Sequence, residues 1–382
     1  MSACVAAYGV YLALPLILGT LADIYHFSNR QIGWIGSAEN AGLLLGSTLV
    51  SVLAGSGRYR RLVITGIAIA VTGNLVTLLL GSFAGFIGVR LVTGIGSGMC
   101  YSAAIACLSL TRESSRNFSV FVVILVLANS AELWLVPTLV NAAGVHGLYT
   151  ALAMLYVVPL LLLRQIPRSV QPSAAAHTPQ ANVAAVAAPT LPRSNAWLCL
   201  AAIVLFGIAA SAFWAYSERI GISIGMSETA VSRTLTLCNL FSLTGSLLAL
   251  YLSRRWGHHR PQLLAIAVMI AVFAAWTSGI SVAGYVIGVL LFFEVWSMAS
   301  VYQLSTLTAI DRTGQYVALV PAAQGIGQSA GPFIAGVLLG WHWTFPQMLL
   351  SATLFALACF AAYFTVYIRL RRANPAAPPG QF

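Results

Sequence analysis

Apolar runs of roughly twenty residues follow one another along this chain, each cut short by a few polar residues. A run of that length lets a helix cross about 30 Å of hydrocarbon. Only helices and closed barrels satisfy their own backbone in hydrocarbon, and unbroken apolar stretches select helices. Twelve spans are expected, at 3–22, 32–54, 62–80, 84–108, 118–140, 147–164, 197–217, 229–252, 262–280, 284–308, 316–340 and 344–368. Only 7% of residues are charged, against about 25% in a soluble domain. The fold class is therefore all-α and membrane-integral, and each charge inside a span needs a specific reason.

The chain has no lysine, so all nineteen positive residues are arginines. With the N-terminus in the cytoplasm, fifteen of them fall on the inner side: Arg58, Arg60, Arg61, Arg112, Arg116, Arg164, Arg168, Arg193, Arg254, Arg255, Arg260, Arg312, Arg369, Arg371 and Arg372. Arg30, Arg219 and Arg233 fall outside, and Arg90 lies within span four. Positive residues collect in cytoplasmic loops, which puts both termini in the cytoplasm. Topology thus accounts for the net charge of +11 without a nucleic-acid partner. Arginine without lysine suggests a GC-rich genome, and with it a bacterial inner membrane. The first apolar run is read as span one, not as a cleaved leader.

Residues 166–195, rich in Pro, Ala and Ser, have no core-forming pattern and read as a cytoplasmic linker. They separate a first six-helix bundle, 1–165, from a second, 196–372, and 373–382 reads as a disordered tail. The six cysteines are scattered with no metal or redox spacing, and no metal site or cofactor is expected. No nucleophile–base pair or phosphate-binding loop suggests an enzyme.

An internal repeat joins the two bundles at an offset of 199 residues. Ser28-Asn-Arg-Gln-Ile-Gly leads into a span with Leu44, Leu45, Gly46 and Ser47; Ser227-Glu-Thr-Ala-Val-Ser leads into one with Leu243, Thr244, Gly245 and Ser246. Ser130-Ala131 falls on Ser329-Ala330. Parallel halves of this kind are the architecture of transporters that rock around a central site. Leu53-Ala-Gly-Ser-Gly-Arg-Tyr-Arg-Arg61 and Leu252-Ser-Arg-Arg-Trp-Gly-His-His259 occupy equivalent loops. Together with Arg90-Leu-Val-Thr-Gly-Ile-Gly-Ser-Gly98, they make the chain resemble the major facilitator superfamily over essentially its whole length. The loop elements carrying that likeness are Arg58, Arg60, Arg61, Arg255 and Gly257, with Gly55 where the family has an acid. The resemblance implies twelve spans in two pseudo-symmetric bundles, a monomer, and a cavity lined by spans one, four, seven and ten. It also links Arg90 to proton coupling. Gly94 and Gly98 permit close helix approach, and Gly331 with Pro332 interrupts span eleven as in a flexing helix. The glycine-proline signature that antiporters carry in span five is absent there, where Asn129-Ser-Ala-Glu-Leu-Trp-Leu-Val-Pro137 stands.

Of eight acids, Glu39, Glu132 and Glu294 lie within spans. Each costs about 2.5–3.5 kcal/mol at mid-membrane unless it meets a partner or water. At about 1.5 Å per residue, Glu39, Glu132, Glu294 and Arg90 lie about 11, 12, 15 and 9 Å from the outer face, in one layer. An acid whose surroundings alternate with access can take up a proton on one side and release it on the other, so these four are the proton-coupling candidates. Glu132 leads, with no base expected near it, and Glu39 is the expected partner of Arg90. By the resemblance, Arg90 and Glu294 face the cavity from opposite halves. Tyr8, Tyr11, Trp134, Trp214, Tyr216, Trp296 and Tyr302 are the cavity candidates.

The expectation is a secondary active transporter in the lipid bilayer, coupled to the proton gradient. Its substrate would be a small cationic, zwitterionic or amphipathic organic solute, with a lean to efflux from the acid-containing aromatic pocket. The alternatives are an uptake permease or uniporter for a small metabolite, or a non-transporting membrane sensor on the same scaffold.

Overall fold

The computed structural model describes residues 1–53, 58–109, 111, 113–165, 192–311 and 314–373. The linker at 166–191, the tail from 374 onward, Gly55, Arg112, Arg168 and Arg312 lie outside the described residues. Helix accounts for nearly all of the rest, and twelve crossings follow.

Span one is two helices, α1 (Ser2–Leu12) and α2 (Leu14–Tyr25), bent by 47° at Ala13. Pro15 in the first turn of α2 supplies no backbone N–H, so the chain can turn there without losing a helical bond. The next three crossings are α3 (Asn29–Leu53), α4 (Tyr59–Thr77) and α5 (Phe83–Ser109). Spans five and six form one long element, α6 (Ser114–Met154), broken at Ala143 (φ −147°) and Gly144 (φ +56°), and α7 (Val157–Leu161) completes the sixth crossing. Gly144 takes the positive φ that reverses the chain there, a conformation that costs glycine little. The second bundle contains α8 (Arg193–Ser223), α9 (Glu228–Trp256), α10 (His259–Thr277), α11 (Val282–Ile310), α12 (Val320–Gly340) and α13 (Phe345–Ala373).

The repeat is visible in the element boundaries. Asn29 and Glu228 open α3 and α9, and Phe83 and Val282 open α5 and α11, each pair 199 residues apart. The turns correspond as well: His26 (φ 54°) matches Gly225 (φ 89°).

Eight described helices are separately long and apolar enough to cross a membrane, and α1–α2 together make a ninth. Neither α3 nor α12 is among them. Both are rich in glycine and small polar residues because their partner is protein: α3 packs on α5 and α12, and α12 on α8 and α3. A Cβ on Gly42 would stand 2.1 Å from Leu91 O, on Gly98 2.1 Å from Leu43 O, and on Gly94 2.2 Å from Glu39 O. Backbones this close gain van der Waals contact that larger side chains would prevent. Gly94 and Gly98 thus lie in a close helix contact, and Gly331 does the same against Ser211 in the second bundle.

Candidate functional site

The two bundles are tied together toward the end opposite the termini. Arg219 on α8 pairs with Asp23 on α2 and donates to Gly19 O at 3.0 Å, while its Nε meets Glu218 at 2.8 Å. Glu218 lies over Gly19, where a Cβ would collide with the carboxyl. The Tyr216 hydroxyl donates to Asn29 O at 2.6 Å, between Gly33 and Gly336. Trp214 Nε1 donates to Tyr11 O at 3.1 Å. Deeper in the seam, Ser37 donates to Ser329 O and Asn40 to Gln328 O across α3 and α12. Across α6 and α9, Asn239 donates to Val126 O and Ser130 Oγ and accepts from Asn129. This is a conformation shut at the end away from the termini.

Beneath the closure lies a cluster of aromatic rings drawn from both bundles. Tyr8 stacks on Tyr101 of α5 with centroids 4.8 Å apart and meets Tyr11 at 4.9 Å. Tyr11 meets Trp296 edge-on at 6.4 Å, and Trp296 meets Trp214 at the same separation. Gln328 on α12 reaches the Tyr8 hydroxyl. Tyr8, Tyr101, Trp296 and Gln328 are only partly buried, and the buried Tyr11 hydroxyl has no hydrogen-bond partner. These residues form an aromatic cluster with polar edges, the candidate substrate chamber.

Three residues expected in the chamber stand elsewhere. Trp134 is 50% exposed, its ring 5.6 Å from the Arg233 guanidinium, on a face of α6 turned away from the bundle. Tyr216 is fully buried in the seam, where glycines leave room for a ring. Tyr302 is also fully buried, and its hydroxyl donates to Ala249 O at 2.7 Å, bracing α11 on α9. Trp214 and Tyr216, two positions apart, stand about 200° apart around α8, and which side meets the chamber is set by packing.

The ionisable residues likewise divide. Arg90, 1% exposed, forms an ion pair with Glu39 at 2.8 Å. It also donates to Asn74 Oδ1 at 3.0 and 3.2 Å and lies over the Tyr149 ring at 5.1 Å. All four residues belong to the first bundle, so Arg90 points into its own half and does not face Glu294 across a cavity. Glu294 is only half-buried at the contact of α11 with α9, accepting from Thr244 Oγ1 at 2.7 Å beside Gly245. It too is not in the chamber. Glu132 remains: both carboxyl oxygens are inaccessible and without hydrogen-bond partners, against Gly9 of α1. No described cation joins the chamber aromatics.

At the loop carrying the second basic stretch, Gly257 takes φ +74° and closes α9 by donating to Ser253 O. Arg255 is exposed over the Tyr251 ring, and Arg58 and Arg61 are exposed at the start of α4, with Arg60 half-buried. Such positions suit anchoring at the bilayer surface.

Sequence reasoning missed Arg219 as a latch, the Gly9 notch, Tyr101 and Gln328. The two seam asparagines were within its reach, since Asn40 and Asn239 are separated by the repeat offset, as are Ser130 and Ser329. Arg219, by contrast, is answered by an acid 196 positions away, which no local pattern signals.

The sequence profile of the Major Facilitator Superfamily matches residues 1–314. The chain is 25% identical over 388 residues to a 3-(3-hydroxy-phenyl)propionate transporter of Escherichia coli (strain K12), covering 96% of this chain and 92% of that protein. It is also 25% identical over 374 residues to a Bacillus subtilis (strain 168) protein named for niacin and nicotinamide transport, covering 92% and 89%. Among solved structures, a point mutant of the nucleoside transporter NupG superposes with a TM-score of 0.77 at 12% identity, covering 96% of this chain and 97% of that one.

Proposed function

The chain belongs to the Major Facilitator Superfamily and is a multi-pass membrane transporter of small solutes, not an enzyme; from that premise we propose that it moves a ring-bearing organic solute together with a proton. The observation carrying this reading is the chamber of Tyr8, Tyr11, Tyr101, Trp214 and Trp296, with an unpaired Glu132 behind it. Flat aromatic walls favour a flat ligand, through stacked and edge-on contacts worth about 0.5–1.5 kcal/mol each. The printed names of the two relatives, each specifying a ring compound, support the same class.

Arg90 is occupied by Glu39 and Asn74, so it is not free to balance a substrate charge. A solute that is uncharged, zwitterionic or an acid accompanied by a proton suits such a chamber. Glu132 is the proton carrier in this reading, and the Arg90–Glu39 pair is a secondary coupling element. The lean to efflux needs an acid-containing aromatic pocket. With Glu294 peripheral and Glu39 paired, inward symport is the direction proposed here. The arginine distribution supports placing the termini in the cytoplasm of a bacterial inner membrane. On that orientation the described conformation faces inward, and the carrier works as a monomer.

Purified protein in liposomes, with an acidic exterior, should accumulate labelled nicotinate or 3-(3-hydroxyphenyl)propionate, and a protonophore should abolish accumulation. Equilibration without accumulation would identify a uniporter. Binding without flux would identify a sensor, and accumulation only against an inwardly acid gradient would identify an exporter. Glu132→Gln should equilibrate the solute without concentrating it.

A further inference from the structure

Glu132 is the buried acid that pairing leaves over, and its surroundings are specific. A Cβ on Gly9 would stand 2.9 Å from Glu132 Oε1 and 3.0 Å from Leu155 Cδ1. The carboxyl therefore fills the space that glycine leaves on α1. The repeat provides an internal control. Position 9 + 199 is Ile208, and position 132 + 199 is Gly331. In the second bundle the glycine sits on the other helix of the pair and faces backbone and a hydroxyl: a Cβ on Gly331 would stand 2.0 Å from Ser211 Oγ and 2.7 Å from Ile208 O. Both bundles need a glycine at this contact, but only the first places an acid against it.

The position on α1 matters as well. Gly9 lies four residues before Ala13, where α1 ends and the chain bends by 47° into α2. Beyond the bend, α2 is tied to the second bundle by Arg219 through Asp23 and Gly19. The bend thus separates a latched segment from the segment that encloses Glu132.

We propose that Gly9 is the positioning residue of Glu132: a notch on the short α1 segment that encloses the carboxyl when the outer latch is shut and uncovers it when the bundles rock about Ala13. This rests on the reading of Glu132 as proton carrier. The step is acid–base only: the uncovered carboxylate takes one proton from outer water, holds it while latch and notch enclose it, and returns it to inner water when the α1 segment then moves off α6. On the elements packed against α6, the titratable and charged groups nearest the level of Glu132 are Tyr8 and Tyr11 on α1, Asp23 and Tyr25 on α2, Arg90 and Tyr101 on α5, Glu218 on α8, and Glu228, Arg233 and Cys238 on α9, with Tyr149 beyond the break in α6 and Tyr156 just before α7. None forms a hydrogen bond with the carboxyl.

Infrared difference spectra of purified protein, titrated with pH and compared with Glu132→Gln, isolate the protonated-carboxyl band of Glu132 without any ligand. Gly9→Ala should move the midpoint of that band by about one pH unit, a tenfold change in proton affinity. Glu132→Asp, one methylene short of the notch, should move it similarly if Gly9→Ala does not fold. Gly88→Ala, at a glycine with nothing within 4 Å, should leave it in place. A parental midpoint in both Gly9→Ala and Glu132→Asp would overturn the proposal. Proton-driven accumulation that survives Glu132→Gln would overturn the carrier reading instead, with the infrared result unaffected.

Discussion

Four positions compare the two bundles directly. The first buries Glu39, Asn74, Arg90 and Tyr149 together, and the second, 199 residues on, buries Cys238, Phe273, Val289 and Met348. The helices around both sets match in order and in boundaries. A packed scaffold therefore does not require charge at this place, because the second bundle fills it with apolar side chains. The neighbouring contacts differ in the same direction. Gly42, Gly94 and Gly98 bring α3 and α5 to backbone contact along three turns; their counterparts are Phe241, Phe293 and Ser297, and α9 meets α11 at Gly245 instead, where a Cβ would stand 2.8 Å from Glu294 O. In the first bundle the tight glycine contact encloses an ion pair that lipid and water do not reach. In the second, Phe293 turns toward Trp214 and helps wall the chamber. The two halves share a backbone plan but not its filling, with the enclosed Arg90–Glu39 pair in one and aromatic surface in both.

Breaking the pair tests this comparison most severely. Arg90→Leu leaves Glu39 buried and alone, and should cost about 3–5 kcal/mol. The measurement is the unfolding midpoint in detergent, and a parental midpoint would mean that the pair has no structural weight. Copying the second bundle into the first, with Glu39→Cys, Asn74→Phe, Arg90→Val and Tyr149→Met together, should give a protein as stable as the parent or up to about 4 kcal/mol more stable. Gradient-driven accumulation should be lost in that protein. If it aggregates, the two bundles are not equivalent at these positions. Gly33→Ala acts on the seam instead of the cluster. The added Cβ would stand 2.1 Å from the Tyr216 hydroxyl and 2.5 Å from Pro332 O. It should cost the shut state about 1–3 kcal/mol, and spin-label distances between His26 and Gly225 should lengthen. Unchanged distances would show that the glycine slot does not hold the seam. The smallest effect is expected where charge is solvated: Glu113→Gln breaks a pair with Arg116 whose side chains are 63% and 76% exposed. It should change stability by no more than about 0.5 kcal/mol.

What was legible in the sequence follows from the cost of polar groups in hydrocarbon. That cost forces long apolar runs, so the crossings could be counted and the arginines assigned to one side. It also makes each intramembrane acid conspicuous, and Glu39 was matched to Arg90 because both sit at similar depth within one half. The repeat was legible because the two bundles share helix lengths and turns, including the positive-φ positions at His26 and Gly225.

Facing was decided by the tertiary structure. Each step along a helix turns by about 100°, so Glu294 and Trp296, two positions apart, stand on nearly opposite faces, and only packing decides that Trp296 meets the chamber and Glu294 meets α9. Trp134 and Glu132 divide in the same way, one toward Arg233 and one against Gly9. Depth depends on distance along a single helix and can be read from order in the chain. Direction around the helix depends on which neighbours come close, and those neighbours, such as Arg219 for Asp23, are brought together from distant parts of the chain only when it packs.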